Sequence, residues 1–249
     1  MKYPRIEVRE LKKSFDETVI LDHINFKVHV GESLVIIGAS GSGKSVLTKC
    51  IVGLLKPDDG DIFLDGHRLE TNSSHRKSEA ANLISYVFQN SALFDSLTVI
   101  ENISFGPQFL NKQNKRDAND IARESMIKLD IHPKFWRMYP KELSSSLRKI
   151  VAIARALAVK PKIIIFDEPS TGLDIRASRK LDYLIRDSVK NENITAITIT
   201  HDMNSALHIA DSIAMLHKGK LIWSGEPSEL KKSDREEIRR FIKPFLNSK

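Results

Sequence analysis

The sequence predicts an α/β fold with a mostly parallel sheet, an N-terminal antiparallel β subdomain and an inserted helical subdomain. Three observations predict it. The first thirty residues alternate apolar and polar positions, buried apolar runs recur at 33–38, 163–166 and 195–200, and 96–158 is mostly helical in pattern. Apolar strands that alternate with helices indicate a parallel sheet. With 249 residues, 41% of them apolar, the chain can bury a core.

The N-terminal elements follow from local patterns. Residues 4–9 and 19–30 predict half-buried antiparallel strands, because apolar side chains recur at every second position. The apolar run 33–38 predicts a buried strand that ends in a glycine and serine loop, and apolar residues at helical spacing follow over 46–55. The Asp65-Gly66 pair after residues 61–64 predicts a hairpin, because both residues favour tight turns.

The second half predicts helices first and then strands. Residues 83–89 predict a strand, and 114–130 and 147–159 predict helices with charged outer faces. From Lys162 onward the pattern returns to buried strands, which a charged helix over about 174–190 separates. The helical residues therefore interrupt the sheet in sequence.

The C-terminal tail, residues 234–246, carries apolar side chains at helical spacing opposite a basic face. Pro244 should end this helix near Lys243, because proline lacks an N–H and clashes with the carbonyl four residues earlier. The tail can pack on its own domain, dock on a second copy or lie on lipid. The predicted divisions are a core with the β subdomain (1–95 and 159–228), a helical subdomain (96–158) and an amphipathic tail (229–249).

Composition excludes several classes of protein. The single cysteine, Cys50, allows no intrachain disulfide and no multi-cysteine metal site. No apolar stretch approaches the roughly 18 to 20 residues of a membrane span, and residues 1–15 lack the apolar centre of a secretory signal, so we expect a cytoplasmic chain. The net charge of +7 permits an anionic membrane face or nucleic acid as a partner. We expect no nucleic acid, because the basic residues lack interleaved aromatics.

A phosphate-binding motif lies between a predicted strand and a predicted helix. Residues 38–45 read Gly-Ala-Ser-Gly-Ser-Gly-Lys-Ser and match G-x-x-x-x-G-K-[ST], which predicts a P-loop NTPase core. Backbone N–H groups would hold the phosphates of a nucleoside triphosphate, Lys44 would add a cation and Ser45 would bind Mg²⁺. A flexible turn is the alternative. The predicted nucleotide-binding residues here are Gly38, Ser40, Gly41, Ser42, Gly43, Lys44 and Ser45.

Two adjacent carboxylates follow the apolar run 163–166. Asp167 ends a buried strand beside the predicted loop, where it would hold Mg²⁺ through water. Glu168 would orient or deprotonate the water that attacks the phosphate. The alternative is that Asp167, Glu168 and Pro169 only form a turn.

Further residues complete a pattern in the same order along the chain. Phe15 follows the first strand, Gln89 ends the strand at 83–89, His201 follows the strand at 195–200, and Leu143-Ser-Ser-Ser-Leu-Arg148 precedes Asp167 by about twenty residues. With Ser170-Thr-Gly-Leu-Asp174 after the two carboxylates, this order resembles the ATP-binding cassette (ABC) ATPases over about residues 5–228.

The resemblance implies a role for each of these residues. It implies that Phe15 stacks on adenine, that Gln89 contacts the catalytic metal and water, and that His201 acts as the switch histidine. It implies that Asp174 lies in the D-loop at a dimer interface. The signature segment, which the resemblance places against the ATP of a second copy, supplies Ser144, Ser145 and Ser146.

Each residue also has a structural alternative: Phe15 in the core, Gln89 at a solvated strand end, His201 as a satisfied buried histidine and Asp174 as a helix N-cap.

The signature departs from the family pattern Leu-Ser-Gly-Gly-Gln, because Ser145 and Ser146 replace both glycines and Leu147 replaces the glutamine. If either position needs a left-handed backbone, serine costs about 1 to 2 kcal/mol there. Ser144 retains its hydroxyl and is a good N-cap. We therefore expect reduced turnover rather than none.

The predicted function is an ATP-hydrolysing ABC transporter subunit with ATP and Mg²⁺ as cofactors. Residues 43–49 and 88–99 resemble Mla-type lipid-transport cassettes. This implies a partner permease, a second copy of the chain in an ATP-sandwich homodimer, a lipid-binding substrate protein, glycerophospholipid cargo and a position on the cytoplasmic face of the inner membrane. The alternatives are a subunit for another solute such as a nucleotide, a weakly hydrolysing regulatory cassette, a soluble ABC protein of translation or DNA repair, and a small-molecule kinase.

Overall fold

Two β-sheets form the framework of the chain in a computed structural model that describes residues 4–69 and 83–246. The strands are β1 (Pro4–Phe15), β2 (Thr18–His29), β3 (Ser33–Ile37), β4 (Asp59–Leu64), β5 (His67–Arg68), β6 (Ile84–Val87), β7 (Ile163–Asp167), β8 (Thr195–Thr200), β9 (Ser212–His217) and β10 (Lys220–Gly225). The first sheet is antiparallel, in the order β2-β1-β4-β5. The second has the order β10-β9-β3-β8-β7-β6 and is parallel except for β10. The predicted α/β fold class is confirmed.

Helices cover the second sheet; α1 to α6 lie between its strands in sequence, and α7 and α8 follow its last strand. They are α1 (Lys44–Ile51), α2 (Val99–Phe109), α3 (Lys115–Lys128), α4 (Ser145–Ala158), α5 (Ile175–Asn191), α6 (Met203–Ile209), α7 (Pro227–Leu230) and α8 (Glu236–Leu246). Short 3₁₀ helices at Pro133–Phe135 and Pro140–Glu142 connect α3 to α4. No helix in the described ranges is long and apolar enough to span a membrane.

The helices α2, α3 and α4 are inserted between two strands that pair directly. Strand β6 pairs in parallel with β7, although more than seventy residues separate them in the chain. The helical insertion predicted from the periodicity is therefore present. Its boundaries at 96 and 158 remain a prediction.

Two apolar cores lie on either side of the second sheet. One fills the space between the two sheets and includes α1. The other joins the opposite face of the second sheet to α2 through α6 and to α8. Along β3, β7, β8 and β9, alternate side chains enter the two cores, because successive side chains of a strand point to opposite faces of the sheet.

The structure corrects several predicted boundaries. The strand predicted at 4–9 continues to Phe15, α1 ends at Ile51 rather than near residue 55, and α4 begins at Ser145 rather than at residue 147. The sequence analysis did not identify α2, α6 or the β9-β10 hairpin. The Asp65-Gly66 hairpin is confirmed, and both residues have positive φ, 49° and 80°.

The C-terminal helix differs from its prediction at Pro244. Helix α8 continues through Pro244 to Leu246, so the expected end near Lys243 is wrong. A proline in the last turn removes only one backbone hydrogen bond, and few residues follow it. Ile238 and Ile242 are buried, and Phe241 and Phe245 pack against the same core. The apolar face of the tail therefore packs on its own domain.

Candidate functional site

The phosphate-binding loop joins β3 to α1. Strand β3 is fully buried because it pairs in parallel with β8 on one side and β9 on the other. A Cβ at Gly38 would lie 2.2 Å from the carbonyl oxygen of Leu216, and a Cβ at Gly43 would lie 2.9 Å from that of Ile20. Both positions therefore require glycine for a steric reason.

The N-terminus of α1 has no side-chain cap. Its N-cap residue, Gly43, has φ 105°, and within the described ranges no side chain bonds to the first backbone N–H groups of the helix. Such N–H groups and the positive end of the helix dipole attract anions. The buried hydroxyl of Ser42 also has no hydrogen-bond partner among the described residues. The loop is thus built to receive an anionic ligand.

Lys44 lies almost entirely inside this loop. Its ammonium donates hydrogen bonds to the carbonyl oxygens of Gly38, at 2.8 Å, and Ala39, at 3.0 Å. Burial lowers the pKa of Lys44, while the negative charges of Glu168 and Asp167 act in the opposite direction. A buried cation held by carbonyls alone lacks a neutralising contact, which a phosphate would supply.

A hydroxyl and a carboxylate converge beside Lys44. The Ser45 hydroxyl lies 3.5 Å from Asp167 Oδ1, and the Tyr86 hydroxyl donates to Asp167 Oδ2 at 2.8 Å. Tyr86 in turn lies 3.1 Å from the Thr48 hydroxyl on α1. Burial, with the charge of Asp167, raises the pKa of Tyr86, so it stays a hydrogen-bond donor. The oxygen set of Ser45 and Asp167 fits Mg²⁺, a hard cation.

Glu168 lies at the next position and contacts the segment that follows β8. His201 Nδ1 is 2.6 Å from Glu168 Oε2, and the Thr171 hydroxyl donates to the same oxygen at 3.0 Å. The backbone of Glu168 is left-handed, with φ 49°, and its N–H donates to the Ile199 carbonyl. These contacts fix the carboxylate at the end of β7.

Half of the predicted residues line one cavity of about 590 Å³. The lining includes Ser40, Gly41, Gly43, Lys44, Ser45, Gln89, Glu168 and His201 from the prediction, together with Ile20 and Val46. Gln89 follows β6, and its carbonyl accepts a hydrogen bond from the Lys149 ammonium at 3.1 Å. Asp167 lies behind the lining, within reach of Ser45.

Phe15 lies outside the residues that line this cavity. It ends β1 opposite Thr18, is 45% exposed and carries the Lys13 ammonium 5.3 Å from its ring centroid. The buried-core alternative for Phe15 is wrong, because the ring faces solvent. Ile20, two residues into the adjoining strand β2, is the side chain that reaches the cavity.

The signature segment lies at the start of α4, on the surface and outside the cavity lining. Ser144 is the N-cap, and its hydroxyl accepts from the Leu147 N–H at 3.3 Å and lies 3.2 Å from that of Ser146. Ser145 and Ser146 belong to the first turn of α4, and neither has positive φ. The condition for left-handed strain is therefore not met at either position.

Asp174 is also separate from the cavity. Its carboxylate caps α5 by accepting from the N–H groups of Arg176 and Ala177, both at 2.9 Å. The N-cap alternative thus describes its contacts within one chain. Like the signature segment, Asp174 is exposed and accessible to a second molecule.

Four residues that hold the site residues by hydrogen bonds were not predicted from the sequence. Tyr86, Thr48, Thr171 and Lys149 hold Asp167, Glu168 and the Gln89 carbonyl. Tyr86 and Lys149 belong to no motif, and only the register of β6 beside β7 brings Tyr86 close to Asp167. The sequence signal that could have identified Tyr86 was a polar residue within the apolar run of β6.

Known proteins resemble this chain along most of its length. The model of the family described as "ABC transporter" matches residues 21–171. The sulfate/thiosulfate import ATP-binding protein CysA of Mesostigma viride is 36% identical over 227 residues, which cover 90% of this chain and 63% of that protein. The glutamine transport ATP-binding protein GlnQ of Escherichia coli (strain K12) is 36% identical over 231 residues, covering 92% and 94% respectively. The chain therefore spans less than two thirds of the length of the first of these relatives.

A solved structure has the same fold. It is the dimeric ATP-binding cassette MJ0796 in a post-hydrolysis state, bound to ADP and Pi. The two share 27% sequence identity with a TM-score of 0.81, over 89% of this chain and 98% of the other.

Proposed function

This chain belongs to the ABC transporter family as an ATP-binding cassette ATPase, and from that premise we propose that it hydrolyses ATP to energise a separate membrane permease. One observation carries the proposal. The uncapped N-terminus of α1, the buried Lys44 ammonium and the Glu168 carboxylate face a single cavity. This arrangement binds a triphosphate at one end and places a base at the other.

Nucleotide binding begins with the phosphates. The N–H groups of the loop and the Lys44 ammonium, now held by two carbonyls, would bind the β- and γ-phosphate oxygens. Ser45 and Asp167 would hold Mg²⁺ together with Gln89 across the cavity. When bound, Mg²⁺ would neutralise phosphate charge and would help to orient the terminal phosphate for attack by water. Phe15 would contact the base from the rim of the first sheet.

Hydrolysis would depend on Glu168 and its neighbours. The carboxylate is positioned by Thr171 and His201, so it can accept a proton from water placed in the cavity. His201 is 60% exposed at its side chain, which leaves its second ring nitrogen accessible to the terminal phosphate. His201 would thereby link the phosphate to the segment that leads into α6.

A second copy of the chain would complete the site. The signature segment and Asp174 are exposed and lie away from the cavity of their own chain. In a head-to-tail dimer, Ser144, Ser145 and the N-terminus of α4 would cover the ATP held by Lys44 of the other copy. Two bound ATP molecules would favour this closed dimer, and hydrolysis would release it.

The permease would contact the segment after Gln89. Ala92 and Phe94 are exposed, Leu93 is partly buried, and Ser91 and Ala92 both have positive φ. Arg155 holds this segment by donating to the carbonyls of Ser91 and Ala92. A conformational change at Gln89 can therefore be transmitted to exposed residues, since Ala92 and Phe94 lie within five positions of it.

Two cargo classes remain as candidates. The resemblance of residues 43–49 and 88–99 to Mla-type cassettes supports glycerophospholipid cargo, with a lipid-binding substrate protein and a position on the cytoplasmic face of the inner membrane. The names of the two relatives, which concern sulfate/thiosulfate and glutamine, favour a small-solute importer as the second candidate.

Steady-state ATPase activity of the chain co-purified with its membrane partner tests the proposal. We expect a multi-span protein to co-purify and Glu168→Gln to lower turnover about a hundredfold, because the water loses its base. Turnover that survives Glu168→Gln would contradict the assignment. Absence of both a partner and turnover, with activity appearing only in Ser145→Gly/Ser146→Gly, would favour the regulatory cassette.

A matched pair of variants tests the contact with the permease. Leu93→Glu should abolish co-purification while the purified chain keeps its basal turnover, because the change lies at the proposed interface. Leu110→Glu places the same charge on an exposed apolar position outside this segment and should co-purify normally. Normal complex formation by Leu93→Glu would reject this contact.

A further inference from the structure

A buried carboxylate lies behind the catalytic segments and takes no part in the site described above. Asp182 is in the middle of α5 and is 3% exposed. Its Oδ2 accepts a hydrogen bond from the Ser205 hydroxyl at 2.8 Å, whereas its Oδ1 has no hydrogen-bond partner in the described part of the chain. A buried carboxylate with one unpaired oxygen is costly, so it needs an explanation.

A chain of hydrogen bonds connects Asp182 to two segments, each of which carries a residue of the site. Ser205 lies on α6, four residues after His201, and it is itself buried. Its hydroxyl oxygen lies 3.4 Å from that of Ser170, which is two residues after Glu168 and also buried. Because Ser205 donates its proton to Asp182, Ser170 is the donor to Ser205. The chain of bonds runs from Ser170 through Ser205 to Asp182.

A second carboxylate faces the same hydroxyl. Asp202, the N-cap of α6, has its Oδ2 3.4 Å from the Ser205 hydroxyl. One hydroxyl proton thus lies between two acceptors, and the closer one is Asp182. The ionised state of Asp182 keeps the proton turned toward α5, while a neutral Asp182 would release it toward Asp202.

We propose that Asp182 is a positioning residue for ATP hydrolysis, which holds the segments bearing Glu168 and His201 in a fixed relation through the hydroxyls of Ser205 and Ser170. The inference rests on the proposed function. Glu168 and His201 are already in contact at 2.6 Å, so a small rotation of α6 changes that contact directly. Asp182 restricts this rotation through its hydrogen bond with Ser205 on the buried face of α6.

The cost of the arrangement supports a role beyond folding. Burial raises the pKa of Asp182 to about 6, the charge of Asp202 adds to this, and the Ser205 bond and His208 act in the opposite direction. A carboxyl whose pKa is raised on folding destabilises the fold above its folded pKa, and that destabilisation disappears as the pH falls below about 6. The charge at neutral pH is therefore maintained at a cost in stability.

The isosteric variant Asp182→Asn separates positioning from folding. We expect its melting temperature at pH 7.5 to equal or exceed that of the parent chain, because the buried charge is removed. We expect kcat to fall about tenfold with KM for ATP within a factor of two, because Ser205 loses its charged acceptor. The parent should lose kcat below about pH 6, and the variant should lack that inflection.

The control is Arg186→Ala. Arg186 is exposed on α5 and donates to the His208 carbonyl at 2.9 Å, so it provides a second link between α5 and α6 that does not involve Ser205. This variant should keep its turnover and pH profile. If Asp182→Asn melts lower and loses kcat equally at every pH, or if Arg186→Ala gives the same loss, Asp182 is structural and the proposal is wrong.

Hydrogen–deuterium exchange keeps the test independent of hydrolysis. At pH 7.5, Asp182→Asn should exchange amides faster than the parent both in residues 170–174 and in α6, while the control should not affect 170–174. This outcome would support the linkage even if the parent chain hydrolysed no ATP, in which case only the proposed function would fail. Unchanged exchange in both segments would overturn the linkage.

Discussion

The N-termini of α1 and α4 differ in how their first backbone N–H groups are capped. At α1, Gly43 provides no side chain, and no side chain in the described part of the structure caps the first N–H groups, which face the cavity. At α4, the Ser144 hydroxyl accepts from the Leu147 N–H and covers the end of its own helix. This difference supports the proposal that α1 receives an anion inside one chain, whereas α4 meets the ligand of a second copy.

The surroundings of the two ends agree with this difference. Lys44 is buried and its ammonium is fixed by two carbonyls, and Asp167 and Glu168 stand within the same site. Around Ser145 the surface is exposed and no such set of groups is present among the described residues. We therefore expect the first end to bind a nucleotide within one chain and the second to add to a site formed by another copy.

Removing the cation at α1 should have the largest effect. Lys44→Ala should lower the affinity for a non-hydrolysable ATP analogue by about two orders of magnitude, because a buried charge facing the phosphates is lost. Isothermal titration calorimetry measures the change. Lys49→Ala, on the exposed face of the same helix, is the control and should bind normally. Equal affinities for the parent and Lys44→Ala would remove α1 as the phosphate site.

Removing the support of Asp167 should have an intermediate effect. Tyr86→Phe deletes the hydroxyl that donates to Asp167, and residues that orient a metal ligand typically contribute about tenfold to affinity. The Mg²⁺ concentration for half-maximal hydrolysis should rise accordingly. Tyr183→Phe, exposed on α5, supplies the control. A Mg²⁺ dependence identical to that of the parent would show that Tyr86 does not act through the metal.

Restoring glycine at α4 should have the smallest effect. Ser145→Gly/Ser146→Gly should raise turnover about threefold, less than 1 kcal/mol of transition-state stabilisation, because the backbone can approach the phosphate more closely. Relief of left-handed strain is not the reason, since neither serine has positive φ. The pair Ser145→Ala/Ser146→Ala keeps both Cβ atoms and should be no faster than the parent. A glycine pair without any gain in turnover would show that serine does not limit the approach.

The sequence predicted the parts of the site that a local motif defines. The loop at 38–45 and the Asp167-Glu168 pair follow from a fixed spacing or from an apolar run that ends in two acids. Tyr86 and Ile20 could not be found in this way, because their places depend on which strands become neighbours. Asp182 was missed for the same reason: its partner, Ser205, is 23 residues away on another helix.

The limits of the fold prediction have similar physical causes. The alternation in β1 and β2 was clear, yet their ends depend on the bulges between paired residues rather than on local pattern. Pro244 was given too much weight, because a helix-breaking residue matters less in the last turn than in the interior. The β9-β10 hairpin was missed, although the Lys218-Gly219 turn between its strands has positive φ at both residues.

A mixing experiment tests most directly the claim that α1 binds ATP in one chain and α4 completes the site from another. Lys44→Ala disables the first end, and Ser145→Asp puts a negative charge at the second that suits the start of a helix but repels phosphate. Each variant alone should be inactive, with Ser145→Asn as the neutral control. An equimolar mixture should regain part of the parent turnover, because heterodimers contain one intact composite site. A mixture as inactive as its components would contradict the account.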